Sequence, residues 1–142
     1  AFTYKLPWDP MHHLAVVFGD IRDGVNVPVR LHQESVVDDV FSKQEPMNAI
    51  MKKMAAEGRG VVIYLREGSV GVGPQASRRS TVIEGEGHAE AQAREDEWLE
   101  IGLGAQILKD LGITSIKLYA SRERHYVGLE GFGIQIASTE II

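Results

Sequence analysis

A chain of 142 residues, 44% hydrophobic and 25% charged, is one domain in size and long enough to bury a core without staples. Its formal charge of -5 and pI near 5.5 exclude a general nucleic-acid or anionic-membrane surface, because condensed phosphates attract cationic stripes. The absence of cysteine removes disulfides, thiolate zinc sites and cysteine nucleophiles together.

No run reaches the roughly 20 apolar residues of a membrane helix, and no charged-then-apolar leader opens the chain. The expectation is a cytoplasmic protein with neither a membrane nor a nucleic-acid partner. The sequence begins on Ala1, directly in strand-like "AFTYKL", and reads as a piece cut from a longer chain. "AFTYKL", "HHLAVVFGD" and "VPVRLH" are β-prone runs separated by the turn-forming "PWDPM" and "RDGVN". They predict an antiparallel meander. In "EPMNAIMKKMAAEGRG", Pro46 suits a first helical turn and Met47, Ile50, Met51, Met54 and Ala55 recur at helical spacing. Gly58 ends that helix, and the methionine stripe is expected in the core. "VVIYL" at 61–65 is too continuously apolar for a half-exposed strand and reads as buried on both faces.

Residues 66–96 hold five glycines, a proline and many charges with little periodicity, the pattern of a long mobile loop. Regularity then returns: helix "EWLEIGLGAQILKDLG" with Gly112 at its C-terminal end, strand "ITSIKLYA", short helix "RERHYVGLEGFG" and strand "IQIAS". Two strand–helix–strand crossovers require a sheet that is at least partly parallel. The expected fold is a single α/β domain over 1–142, a mixed β-sheet with flanking helices.

Candidates for chemistry are scattered. His12 and His13 adjoin on a strand and so point to opposite faces, while His32, His88 and His125 lie far apart in sequence. Metal sites need clustered ligands with oriented partners, so structural or surface roles are expected for these histidines. Arg78, Arg79, Arg122 and Arg124 could grip a phosphate or stay solvated. Asp38, Asp39 and Glu34 could hold a hard cation or face water. "GSVGVG" imitates a phosphate-binding loop without its Lys-Ser/Thr ending or its strand–loop–helix context.

"VPVRLHQESVVDDVF", "AAEGRGVVIYLR", "GLGAQILKDLGITSIKL" and "VGLEGFGIQI" resemble GTP cyclohydrolase II, the zinc enzyme that opens the guanine ring at the start of riboflavin synthesis. The resemblance covers nearly the whole chain. "HHLAVVFGDIRDG" is similar to the opening of that domain in bifunctional proteins, where a 3,4-dihydroxy-2-butanone 4-phosphate synthase domain precedes it. The resemblance implies a mixed α/β layered fold, a homodimer and a GTP site at the sheet edge.

It also implies what is missing. In the family, Arg-x-His-Ser-Glu is followed at once by a zinc-ligand cysteine, with a C-x-C after Asp-Val-Phe. Here Arg30, His32, Glu34, Asp39, Val40 and Phe41 keep the frame, but Ser35 stands at the first cysteine and "SKQEP" replaces the C-x-C. A hydroxyl is a poor zinc ligand at neutral pH, so no zinc or other cofactor is expected. The family's Gln-Glu-Gly-Arg-Gly aligns with Glu67, Gly68, Ser69, Val70 and Gly71, which removes its acid and its arginine. Its Asp-x-Arg pair, with acid/base and nucleophilic roles, falls on Glu97 and Leu99; its Thr-Asn-Asn-Pro-x-Lys turn falls on 120–125, where only the charge of Arg122 and Arg124 remains. The tyrosine of the family's central loop is absent.

The family's ring opening depends on a metal that lowers the pKa of its bound water, and this chain has no generator for that nucleophile. One reading is a structural or regulatory domain beside an upstream synthase domain. The other is a metal-free enzyme or nucleotide or phosphate sensor that uses Arg30, His32, Glu34, Arg122 and Arg124.

Overall fold

The computed structural model describes residues 1–5, 11–41, 45–66, 101–120 and 127–142. The order along the chain is β1 (Phe2–Lys5), β2 (His12–Gly19), β3 (Val27–Gln33), a π-helical turn (Val37–Phe41), helix α1 (Glu45–Glu57) and β4 (Arg59–Leu65). Helical residues 101–110 form α2. Strand β5 (Ser115–Ala120), helix α3 (Val127–Gly131) and strand β6 (Gln135–Ile141) complete the order. The six strands form one sheet in the order β1-β2-β4-β3-β5-β6.

β1 pairs antiparallel with β2, and β2 antiparallel with β4. β3 pairs in parallel with both β4 and β5, and β5 in parallel with β6. The fold is therefore α/β with a mixed sheet, as the two crossovers require. The meander stops after two strands: β3 does not lie beside β2, because β4 inserts between them. The β3–α1–β4 crossover returns the chain parallel to β3, and the apolar 61–65 run takes a central place with a hydrogen-bonded neighbour on each side.

Strand alternation assigns each residue to a face. Ala15, Val29, Leu31, Val61, Ile63, Leu65, Ile116 and Leu118 belong to the large buried cluster that also contains Ile101, Leu103, Ala105, Ile107 and Leu108 of α2. Gly104 lets α2 lie on β3, since a Cβ there would fall 2.9 Å from Leu31 Cδ2. On the other face, Ile50 and Met54 of α1 pack on Val62 and Tyr119, with Met47 and Met51 only partly buried. The methionine stripe is thus core at Met54 alone. Its two earlier members, packed against that core, border a cavity.

Both long helices end on left-handed glycines, Gly58 (φ 81) and Gly112 (φ 78), as the sequence predicts. The β2–β3 connection uses these ends as abutments. A Cβ on Gly19 would lie 1.9 Å from the Gly58 carbonyl oxygen, and one on Gly24 would lie 2.1 Å from that of Gly112. Both positions also have positive φ, so any side chain there is doubly excluded. β6 runs three residues beyond the "IQIAS" run. The expected 66–96 loop lies outside the described residues, apart from Arg66. Among the described residues no helix is long and apolar enough to cross a membrane.

Candidate functional site

The parallel register places His32 beside Tyr64 and Arg30 beside Val62, so these side chains share the α1 face of the sheet. The His32 and Tyr64 rings stack, with centroids 5.3 Å apart and planes at 21°. After β3 the chain is held to β4 by the Glu34 N–H, which donates to the Leu65 carbonyl at 2.7 Å. It then winds into the π-helical turn, opened by the Asp39 N–H donating to the Ser35 carbonyl at 2.7 Å. The turn swings Asp39 back over the end of the sheet.

Asp39 is the hub. Its carboxylate accepts hydrogen bonds from Tyr64 Oη at 2.6 Å, the Ser35 N–H at 3.0 Å and His32 Nε2 at 2.9 Å. A carboxylate only accepts, so the shared hydrogen sits on Nε2 of His32. Burial pushes the Asp39 pKa up, but the hydrogen bonds from Tyr64, Ser35 and His32 outweigh it and leave the group below the usual carboxylate range. Burial and the Asp39 hydrogen bond together push the Tyr64 phenol well above its ordinary value.

The remaining candidates divide. Glu34 is 9% exposed and pairs with Arg66 Nε at 3.3 Å, while the Arg66 N–H donates to His13 Nδ1 at 3.0 Å. His12 is exposed and His13 buried, the opposite orientations that adjacent strand positions require. Arg30 reaches sideways to the Tyr119 carbonyl at 3.2 Å. Arg30 and His32 of β3 and Glu34 just after it therefore turn to three different partners. Glu97, Leu99, Arg122 and Arg124 lie outside the described residues, as do Arg78, Arg79, His88 and His125.

A cavity of about 410 Å³ opens between α1 and the sheet. Leu14, Val16, Val62, Met47 and Met51 supply its apolar walls, and His32, Asp38, Asp39, Asn48 and Tyr64 its polar side. Its volume lies within the range of small-molecule sites, about 300–1,000 Å³. Sequence reasoning missed Tyr64, which reads within "VVIYL" as one more buried strand residue. The available signal was alternation: an aromatic hydroxyl two positions after Val62 must share its face.

The acids do not converge on a cation. Asp39 turns to Tyr64 and His32, Glu34 turns to Arg66, and among the described residues no three histidine, aspartate or glutamate side chains form a group that could hold a metal ion. Ser35 donates from Oγ to Asp38 Oδ2 at 2.8 Å and accepts from the Asp38 N–H at 3.4 Å. Its hydroxyl is engaged in closing the turn. A second polar cluster ties α1 to the C-terminal strand: Tyr119 Oη donates to Glu57 at 2.7 Å, Lys53 and Lys117 lie over the Tyr119 ring, and Lys53 pairs with Glu140.

Comparison with known proteins agrees with this architecture. The family model for GTP cyclohydrolase II matches residues 1–140. The probable bifunctional riboflavin biosynthesis protein RIBA 2 of Oryza sativa is 36% identical over 148 residues, covering 96% of this chain and 27% of that protein. RibBA of Bacillus subtilis is 35% identical over 147 residues, with 96% and 37% covered. The chain spans well under half the length of these curated relatives. Among solved structures, RibBX of A. baumannii, a two-domain 3,4-dihydroxy-2-butanone 4-phosphate synthase, superposes with a TM-score of 0.59 at 25% identity, over 99% of this chain and 35% of that one. The match to the family model runs from the first strand into the last, and by it this chain belongs to the GTP cyclohydrolase II family.

Proposed function

We propose that this is a GTP cyclohydrolase II-like domain of a riboflavin-biosynthesis protein that has given up zinc and guanine ring opening. It acts as a structural or regulatory partner of a 3,4-dihydroxy-2-butanone 4-phosphate synthase domain in the same polypeptide, in the cytoplasm and as a homodimer. The observation that carries this reading is Ser35. A thiolate would be a metal ligand at this position, whereas the hydroxyl is spent on Asp38 within the protein's own turn. Serine, aspartate and an already bonded imidazole do not make the soft donor set that structural and catalytic zinc favours. Without the metal there is no acidified water to attack the guanine carbon.

Two further observations support a partner role. RibBX, which resembles the chain along its whole length, is a two-domain protein described by its synthase activity. The π-helical turn also exposes Val37, Val40 and Phe41, the last at 80%, a small apolar stripe of the kind that a neighbouring domain covers.

The test has two arms. Incubated with GTP, the protein releases neither formate nor pyrophosphate above background, and it does not carry equimolar zinc through gel filtration at neutral pH. Restoring the three cysteines alone does not rescue turnover, because Val70 and Leu99 stand where the family has arginines. Stoichiometric zinc together with formate release from the unaltered chain overturns the proposal. In the second arm, removing this domain from the full polypeptide lowers the stability or the rate of the synthase domain; an unchanged synthase on both measures removes the partner role.

A further inference from the structure

Strand β2 is twice as long as the strand beside it, eight residues against four in β1. β4 pairs with β2 from Leu14 to Gly19, whereas β1 pairs with it only from His12 to Ala15. Among the described residues, the backbone of Val16–Gly19 therefore has a partner strand on the β4 side alone. Edge N–H and C=O groups of this kind are a template for a further strand. Beside them lies a groove of about 410 Å³ bordered by Phe2, Val17, Ile21 and Leu111.

The groove faces α2. Tyr4 Oη donates to Asp110 Oδ2 of that helix at 2.8 Å, and strand alternation puts Phe2 on the same side. Val17 and Leu111 pack against the large apolar cluster of this face, yet Phe2 remains 53% exposed. One more apolar side chain opposite Val17 would cover both Phe2 and Val17. The register identifies where it comes from. Phe2 lies opposite Ala15 and Thr3 opposite Leu14, so a backward extension of β1 sets Ala1 against Val16 and the residue before Ala1 against Val17. That residue's side chain falls on the α2 face, at the groove; the one before it, opposite Phe18, falls on the other face. A segment joined to β1 has only to continue straight, and its high effective concentration favours it over any free strand.

We infer that the segment leading from the synthase domain into Ala1 extends β1 along Val16–Phe18 and seats an apolar side chain, from the position directly before Ala1, in the groove of Phe2, Val17, Ile21 and Leu111. The inference rests on the reading above, with the synthase domain upstream. It makes the connection between the two domains a part of the sheet rather than a hinge, so the orientation of one domain is passed rigidly to the other.

Cysteine cross-linking of the full polypeptide tests it, helped by the absence of cysteine from this domain. Directly opposite residues of an antiparallel pair have Cα atoms about 4.5–5.5 Å apart, within the disulfide range of about 4.4–6.8 Å. Val17→Cys, combined with a cysteine at the position directly before Ala1, is expected to form an intramolecular disulfide under mild oxidation, identified by peptide mapping; Phe18→Cys with the same upstream cysteine is not. No Val17 cross-link, equal cross-linking of the two pairs, or a Val17 cross-link between two polypeptides, which would assign the edge to a second copy, overturns the inference. Amide exchange gives a check that does not depend on these variants. The Val16–Phe18 backbone is expected to exchange at least about tenfold faster once the three residues before Ala1 are replaced by Gly-Ser-Gly, and unchanged exchange overturns the inference. Failure of the partner role is read separately, from the synthase after removal of this domain: an unaffected synthase with an intact Val17 cross-link removes that role and leaves the strand extension standing. A native polypeptide whose mass leaves no room for a domain before Ala1 overturns both.

Discussion

On the α2 side of the sheet, Val29, Leu31, Val61, Ile63, Ile116 and Leu118 point into a continuous apolar cluster. On the α1 side, the alternate residues of the same three strands are Arg30, His32, Val62, Tyr64, Lys117 and Tyr119. One face is closed with aliphatic side chains, and the other is spanned by hydrogen bonds and ion pairs around a partly filled space. The strands are the same, so strand propensity does not explain the difference. What differs is the cover: α2 seats directly on β3 at Gly104, whereas α1 packs on β4 at Gly60 through Met54, and a cavity bordered by Met47, Asn48 and Met51 lies between α1 and the sheet. A sheet can thus close one face with aliphatic packing and leave the other to polar contacts, and substitutions on the two faces report different things.

The largest effect is expected on the aliphatic face. Ile63→Ala removes a fully buried side chain from the central strand and is expected to lower unfolding free energy by about 2–5 kcal/mol in urea titration. A loss below 1 kcal/mol would mean that this face is less tightly packed than described.

Asp39→Asn comes next, with an expected loss of about 1.5–3 kcal/mol at neutral pH, because it takes the charge from three hydrogen bonds. Its pH dependence sharpens the comparison. The folded-state pKa of Asp39 is depressed, so its contribution is fully present above the unfolded value of about 3.9 and is lost as the pH falls through the lower folded value. The gap between parent and variant in denaturant midpoint should therefore close in acid; for Ile63→Ala it should persist as long as the protein remains folded.

Tyr119→Phe, also on the α1 face, removes the hydrogen bond to Glu57 and is expected to cost about 0.5–1.5 kcal/mol. Burial and then that hydrogen bond raise the Tyr119 phenol to about 12. Its stabilisation is thus present below the ordinary tyrosine value of about 10 and fades as the pH rises toward 12. The sign is opposite to that of Asp39, and alkaline unfolding curves of the two variants separate them. Smallest of all, Arg22→Ala breaks an ion pair with Asp20 at 2.8 Å in which both side chains face solvent, and thermal melts should not distinguish it from the parent.

The fold was legible wherever a local rule was sufficient. Helix α1 and its stop at Gly58, the end of α2 at Gly112, the buried 61–65 strand and the parallel crossovers all follow from residue order and spacing. The position of β4 does not, because which strand lies beside β2 is settled by long-range packing that neighbouring residues do not encode. The candidate site was legible only in part. His32 and the acids after it stand out as polar residues at a strand end, but the hub at Asp39 is made by the return of a π-helical turn and by the register of β3 on β4. Neither can be read along one segment. Met47 and Met51 have the same helical spacing as Met54, yet they border a cavity, because how fully one face of a helix is covered is settled by the elements opposite it, which a periodicity does not record.

The insertion of β4 has a consequence for how the chain is made. As the polypeptide leaves the ribosome, β1 and β2 can pair at once, but the free edge of β2 waits for a partner that arrives after α1; the contact of His13 with Arg66 spans 53 residues. β3 is worse placed, since both of its neighbours follow it and its contact with β5 spans 89 residues. High separation between partners slows folding and leaves apolar edges open in the meantime. A nascent chain that stops short of β5 therefore carries β3 with one side unsatisfied, so the interval between synthesis of β3 and of β5 is the period in which this domain depends most on chaperones.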